Sequence, residues 1–135
     1  MTIATSLGTL GSFLLYFVAA IALTGVFTLI YTWLTPWNEF ALIRSNNNAA
    51  LVSFSGALLG FILPLASVIV HSHSIVDMLV WGVVAMVVQI LVFLVERLLD
   101  NDLKRRIEAG ETAAAGKLGV LALGAGILNA ACLSY

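Results

Sequence analysis

No charged side chain occurs in residues 1–38, and from there to residue 95 only Glu39, Arg44 and Asp77 carry a full charge, the histidines His71 and His73 aside. Charged residues make up 10% of the chain, against roughly 25% in a soluble domain. Water is therefore not the main solvent around this protein. Cysteine is almost absent: Cys132 stands alone, which excludes an internal disulfide and a multi-cysteine metal site. Basic residues are also few, six against seven acidic ones, for a net charge of −1. Without a basic stripe beyond one short loop, nucleic acid is not an expected partner. Serines occur within the apolar runs, but no histidine lies at the same depth to activate one, so no catalytic residues are assigned and an enzyme is not expected. Nor is any cofactor. His71, His73 and Asp77 share one turn with no fourth ligand nearby, a poor metal site that reads as a polar turn, although such histidines can also sense acid pH.

What the chain does have is long apolar runs. A spanning helix needs about 20 apolar residues, and four segments qualify: one within Leu7–Leu34, then about 49–70, 78–95 and 113–135. The expected fold is an all-α membrane protein of four transmembrane helices, built as two tandem hairpins over about 7–70 and 78–135. Ala20-Ile21-Ala22 resembles a signal-cleavage site, but no Lys or Arg precedes it and the apolar run continues past it. The first run is expected to be a retained helix.

Punctuation supports these limits. Thr35-Pro36 stops the first helix, because proline disfavours helical geometry in the residue before it. Ser45-Asn46-Asn47-Asn48 supplies caps for the second. Arg44 lies in the first loop, and Arg97, Lys104, Arg105, Arg106 and Lys117 lie in or beside the third. Basic residues are retained on the cytoplasmic side, so both odd loops are expected there, with both termini outside. Trp33 and Trp37 are expected at one interface, and Trp81 and Tyr135 at the other. In the third loop, over about 96–112, Val95, Leu99, Leu103 and Ile107 recur every four residues, an apolar stripe which predicts that the third helix continues into the cytoplasm or bends along the membrane surface. Asp100–Lys104 and Asp102–Arg106 are its expected ion pairs. It is either a solvated extension or a docking site for a cytoplasmic protein through Arg97, Lys104, Arg105 and Arg106.

A weak repeat relates Ile43 to Ala50 with Ile107 to Ala114 at an offset of 64, and Gly60 and Ala66 with Gly124 and Ala130. Gly56, Gly60 and Gly124 are expected to mediate close helix packing, since small residues drive association in lipid. The Gly56/Gly60 pair also suggests a homo-oligomer. Gln89 and Asn129 are amide side chains inside the spans, either as interhelical glue or as the lining of a path. Glu96 and Lys117 are close enough to one interface to pair or to reach headgroup level. With no ionisable group in mid-membrane, a proton-driven transporter is not expected. Arg44, Asn46, Asn48 and Lys117 lie at the starts of the second and fourth helices, where backbone N–H groups and positive charge suit a lipid headgroup or small anion.

Thr35-Pro36-Trp37-Asn38-Glu39, Arg44-Ser45-Asn46-Asn47-Asn48-Ala49-Ala50, Gly56 with Leu59-Gly60, Gln89 and Gly126-Ile127-Leu128-Asn129-Ala130-Ala131 together resemble the YjfL-like family of small bacterial inner-membrane proteins, a domain of unknown function. The family pattern has Gly-Asn before both Ala pairs; this chain has Asn-Asn-Asn and Gly-Glu-Thr. The resemblance implies a multi-pass protein of the bacterial inner (plasma) membrane, associated with envelope-stress systems of the phage-shock type, and no established reaction. Two functions fit: a non-enzymatic component coupling the bilayer to a cytoplasmic partner through residues 96–117, or an oligomeric channel for ions or small solutes lined partly by Gln89 and Asn129.

Overall fold

The computed structural model describes residues 2–133. Six helices follow one another: α1 (Ile3–Leu34), α2 (Glu39–Arg44), α3 (Asn48–His71), α4 (Ile75–Leu99), α5 (Leu103–Glu108) and α6 (Thr112–Cys132). Of these α1, α3, α4 and α6 are long and apolar enough to cross a membrane. They match the four expected runs to within a few residues. Tyr135 lies outside the described residues.

Polar side chains close the helix starts. The Asn38, Asn47 and Ser74 side chains accept from the backbone N–H of Ala41, Ala50 and Asp77. Each satisfies a donor that the helix leaves orphaned. Asn46 and Asn48 do not cap α3; that role falls to Asn47. The short helices α2 and α5 end alike. Asn46 has φ 66° and Gly110 φ 80°, left-handed values that asparagine and glycine tolerate best. Asn47 N–H then donates to Leu42 O and Glu111 N–H to Arg106 O, both at 2.9 Å, the closing bond of a Schellman turn. The paired positions are 64 residues apart.

The tightest packing is between α3 and α6. A Cβ at Gly56 would collide with the Gly119 backbone, and one at Gly60 would stand 2.5 Å from the Ala122 carbonyl oxygen. Pro64 lacks an N–H, so it leaves the carbonyl of Gly60, four residues earlier, without its helical donor. The Gly126 backbone stands directly against that carbonyl. Two expectations are corrected here. Gly124 is exposed and a Cβ there would meet nothing within 4 Å; it lies two residues, about 200° of helix rotation, from Gly126, which does the packing. The Gly56/Gly60 face is used within the chain and is not free to form an interface between copies.

α4 covers α3 and α6, and α1 leans on α3 and α4 mainly through its second half, where Leu23, Phe27 and Tyr31 are buried and Ala19 and Ala20 half-buried, with Tyr16 also packed against the core. Apart from Tyr16, its first half points outward. Thr24, Thr28 and Thr32 each donate their hydroxyl to the carbonyl four residues back, at 2.8–2.9 Å. A polar group facing lipid is satisfied in this way without a second helix.

The third spanning helix does not run on unbroken through the third loop. α4 ends at Leu99, Asp100 is extended, and α5 starts afresh at Leu103. Leu103 and Ile107 are buried, but Val95 and Leu99 remain exposed. With the helix broken, residues 100 and 104 no longer stack one turn apart. Asp100 instead pairs with Arg106 at 3.1 Å, Asp102 with Arg105 at 3.1 Å, and Arg106 also with Glu111 at 3.1 Å.

Candidate functional site

The polar residues of the interior gather toward the end of the bundle that carries α2 and α5. Deepest is an amide pair. Gln89 Nε2 donates to the Ala122 carbonyl at 3.1 Å. Asn129 Nδ2 donates to the Ala85 carbonyl at 3.3 Å and lies 3.4 Å from Gln89 Oε1. The two residues singled out in the sequence therefore meet, buried between α4 and α6, and each satisfies backbone as well as the other.

Beside Gln89 is a cavity of about 10 Å³, lined also by Tyr31, Phe93, Glu96 and Leu118. That is room for about one water molecule. Stacked and edge-on rings wall it toward α1: Phe27 on Phe61 at 4.6 Å and Tyr31 against Phe93 at 5.0 Å between centroids. A second cavity of about 40 Å³ lies farther out, lined by Glu96, Asp100, Leu103, Ala114 and Lys117 among others.

Glu96 borders both. Its carboxyl oxygens are both buried and have no hydrogen-bond partner among the described residues. Lys117 is near enough to act on it electrostatically, but no ion pair within 4 Å joins them. The expected Glu96–Lys117 pair is not formed, and Glu96 does not extend to a surface: its head turns inward.

Glu39 is a functional candidate that sequence reasoning missed. It is 1% exposed. One oxygen accepts from the Trp37 indole N–H at 2.7 Å, and the other has no partner of standard geometry. Burial pushes this carboxyl up to about 7, against the opposing pull of the Trp37 N–H and the nearby Tyr31 hydroxyl. Trp37 is itself buried, whereas Trp33 is 83% exposed; of the two expected interface markers only Trp33 faces outward. The Tyr31 hydroxyl, also buried and without a partner of standard geometry among the described residues, is within electrostatic reach of both Glu39 and Glu96. The signal available in the sequence was Trp37-Asn38-Glu39 at the end of a charge-free span, where an acid two residues from a tryptophan can find an indole donor.

The loop residues are mostly engaged within the loop. Arg105 and Arg106 hold the ion pairs given above, and Arg97 Nη1 donates to the Leu34 carbonyl at 2.9 Å, closing the end of α1. Lys104 projects outward. Asn47 Nδ2 donates to the Ile107 carbonyl at 2.9 Å and ties α5 to the start of α3. Arg44, Asn46, Asn48 and Lys117 are separately exposed, and no hydrogen bond or ion pair among the described residues joins them. In the histidine turn, Asp77 Oδ2 accepts from the His73 N–H at 3.1 Å, and His71 Nδ1 lies 2.8 Å from Ser67 O. Among the described residues, no three His, Cys, Asp or Glu side chains cluster as metal ligands.

Four spanning helices, a glycine seam and a buried polar track define a multi-pass helical membrane protein. The family model for the Domain of Unknown Function DUF350 matches residues 4–133, and the chain belongs to that family. It is 43% identical over 129 residues to the UPF0719 inner membrane protein YjfL of Escherichia coli strain K12, covering 96% of this chain and 98% of the relative. The same figures hold for the protein of that name from Escherichia coli O157:H7. No solved structure matches.

Proposed function

We propose that this protein is a non-enzymatic component of the bacterial inner membrane that couples the bilayer to a cytoplasmic protein partner of the envelope-stress kind. The orientation in this reading puts α2 and α5 in the cytoplasm, following the six basic residues. The observation that carries it is the mounting of α5. Leu103 and Ile107 are buried and Asn47 holds the Ile107 carbonyl, while Lys104, Arg105 and Glu108 face outward. A six-residue helix is too short to be stable alone. Fixed to the membrane core, it offers an ordered polar surface whose position follows that of α3 and α6. The matched turns at Asn46 and Gly110 favour a duplicated hairpin as its origin, with both copies facing the same side. Self-association, where it occurs, falls to surfaces other than the glycine seam, and the outward half of α1 offers the largest apolar one.

The channel reading has less behind it. Gln89 and Asn129 spend their hydrogen bonds on each other and on backbone, and the cavity beside them admits about one water.

Photocrosslinking in cells tests the proposal. A photoreactive residue at Lys104 is expected to capture a soluble protein, with capture lost when Arg97, Arg105 and Arg106 are neutralised. Capture of lipid alone, or of nothing, would overturn it.

A further inference from the structure

We infer that Glu96 is a proton-binding site, reached through the outer cavity from the side of the membrane that carries α2 and α5, with Tyr31 and Gln89 facing its inner side. Three observations on the same residue support this. Both Glu96 carboxyl oxygens are buried and lack a hydrogen-bond donor among the described residues. Among the described residues no cation stands within ion-pair distance of it, and Lys117 acts on it only from farther off. And Glu96 lines both cavities, the inner one of about 10 Å³ with Tyr31 and Gln89 and the outer one of about 40 Å³ with Asp100 and Lys117.

A buried, unpaired carboxylate is costly, and such a group neutralises by taking up a proton. A metal ion would suit the site less well. Sodium and potassium, like other hard cations, prefer several oxygen ligands. The inner cavity offers Glu96, the Tyr31 hydroxyl and the Gln89 amide, the last already engaged with Asn129 and Ala122. The cavity, with room for about one water, is lined by Tyr31, Glu96 and Gln89, enough polar residues for the two to four partners that a buried water requires. The groups that face Glu96 can be named element by element: Tyr31 from α1 with Glu39 of α2 behind it, Asp100 from the end of α4, and Lys117 from α6. α3 contributes the apolar Ala57 to the inner cavity, and α5 contributes Leu103 to the outer one. The inference is independent of the partner reading: a proton site at Glu96 stands or falls whether or not α5 is a docking surface.

A hydrophobic carbodiimide is the probe. It adds only to a protonated carboxyl group, whose proton is taken up by a carbodiimide nitrogen while the carboxyl oxygen bonds to the central carbon. Rearrangement then gives a stable N-acylurea that retains every atom of the reagent. The full-length protein in lipid nanodiscs is treated across a pH series and mapped by peptide mass spectrometry. The expected result is modification at Glu96 that falls at least tenfold from acid to alkaline pH, after correction for reagent decay. Lys117→Met, which removes the facing cation, should raise labelling of Glu96 at intermediate pH, and Glu96→Gln should abolish it while labelling at Glu39 persists. Absence of Glu96 modification at acid pH, while Glu39 reacts, would overturn the inference. So would protection of Glu96 by sodium or potassium chloride, but not choline chloride, at fixed pH, since a metal ion would then be the occupant.

Discussion

Gly60→Ala is the sharpest test of the packing. The added Cβ would stand 2.5 Å from the Ala122 carbonyl oxygen, 2.9 Å from its carbon and 3.0 Å from Gln89 Nε2. Ordinary contact begins at 3.4 Å, so α6 must retreat by about 0.9 Å. Both opposing atoms of Ala122 are backbone, so no rotamer change relieves them. Overpacking of this kind costs about 1–3 kcal/mol. The retreat also strains the Gln89–Ala122 hydrogen bond, worth about 0.6 kcal/mol as an interhelical contact in lipid. The expected loss is therefore about 2–4 kcal/mol. Gly124→Ala is the control, because a Cβ there meets nothing within 4 Å. It should be neutral or stabilising by up to about 1 kcal/mol, the helix-propensity gain of alanine over glycine. Steric-trap unfolding in mild detergent, or thermal unfolding followed by tryptophan fluorescence, measures both. If Gly60→Ala unfolds at the same point as Gly124→Ala, the seam between α3 and α6 does not have the geometry described and the reasoning fails.

Asn47→Ala removes both a helix cap and the tether to α5, and should cost about 1–2 kcal/mol with faster amide exchange over residues 103–110; unchanged exchange would mean that the tether does not order α5. Stability should also depend on Glu39. Its carboxyl titrates near 7 when folded and near 4.5 when unfolded, so the folded state binds the extra proton between those values. The stabilisation is complete below about pH 4.5 and is lost as pH rises through 7, by about 3 kcal/mol, and Glu39→Gln should remove that part of the pH profile. Gln89→Leu leaves the Ala122 carbonyl and the Asn129 amide short of a partner and should destabilise by about 1 kcal/mol, read by the same unfolding assay.

The spans were legible because apolar length and scarce charge report directly on solvent. The Asn-rich turn was legible too, although which asparagine caps was not: Asn46, Asn47 and Asn48 are chemically alike, and only the left-handed turn at Asn46 places Asn47 at the cap. Gly126 was hidden behind Gly124 because the choice depends on how α6 is rotated against α3, a tertiary property absent from composition. The break at Asp100 defeated a periodic apolar pattern, since the Arg106 pairs and the burial of Leu103 and Ile107 favour a turn back toward α6. Glu39 was missed for a related reason. A lone acid in a loop is usually solvated, and nothing local marks that Tyr31, Trp37 and Phe93 close over it.

At about 1.5 Å per residue, the 32 residues of α1 reach about 48 Å, well beyond a hydrocarbon core of about 30 Å. Thr2, Thr5, Ser6 and Thr9 make the first turns tolerant of the headgroup region. The stretch from Leu10 to Leu34 is still about 37 Å long, longer than that core, and tilting takes up such an excess. Because α3 and α4 hold it mainly from Ala19 onward, the free half is a lever whose angle responds to membrane thickness. In a thicker bilayer the arm stands up; in a thinner one it lies down, and the torque arrives at Phe27 and Tyr31.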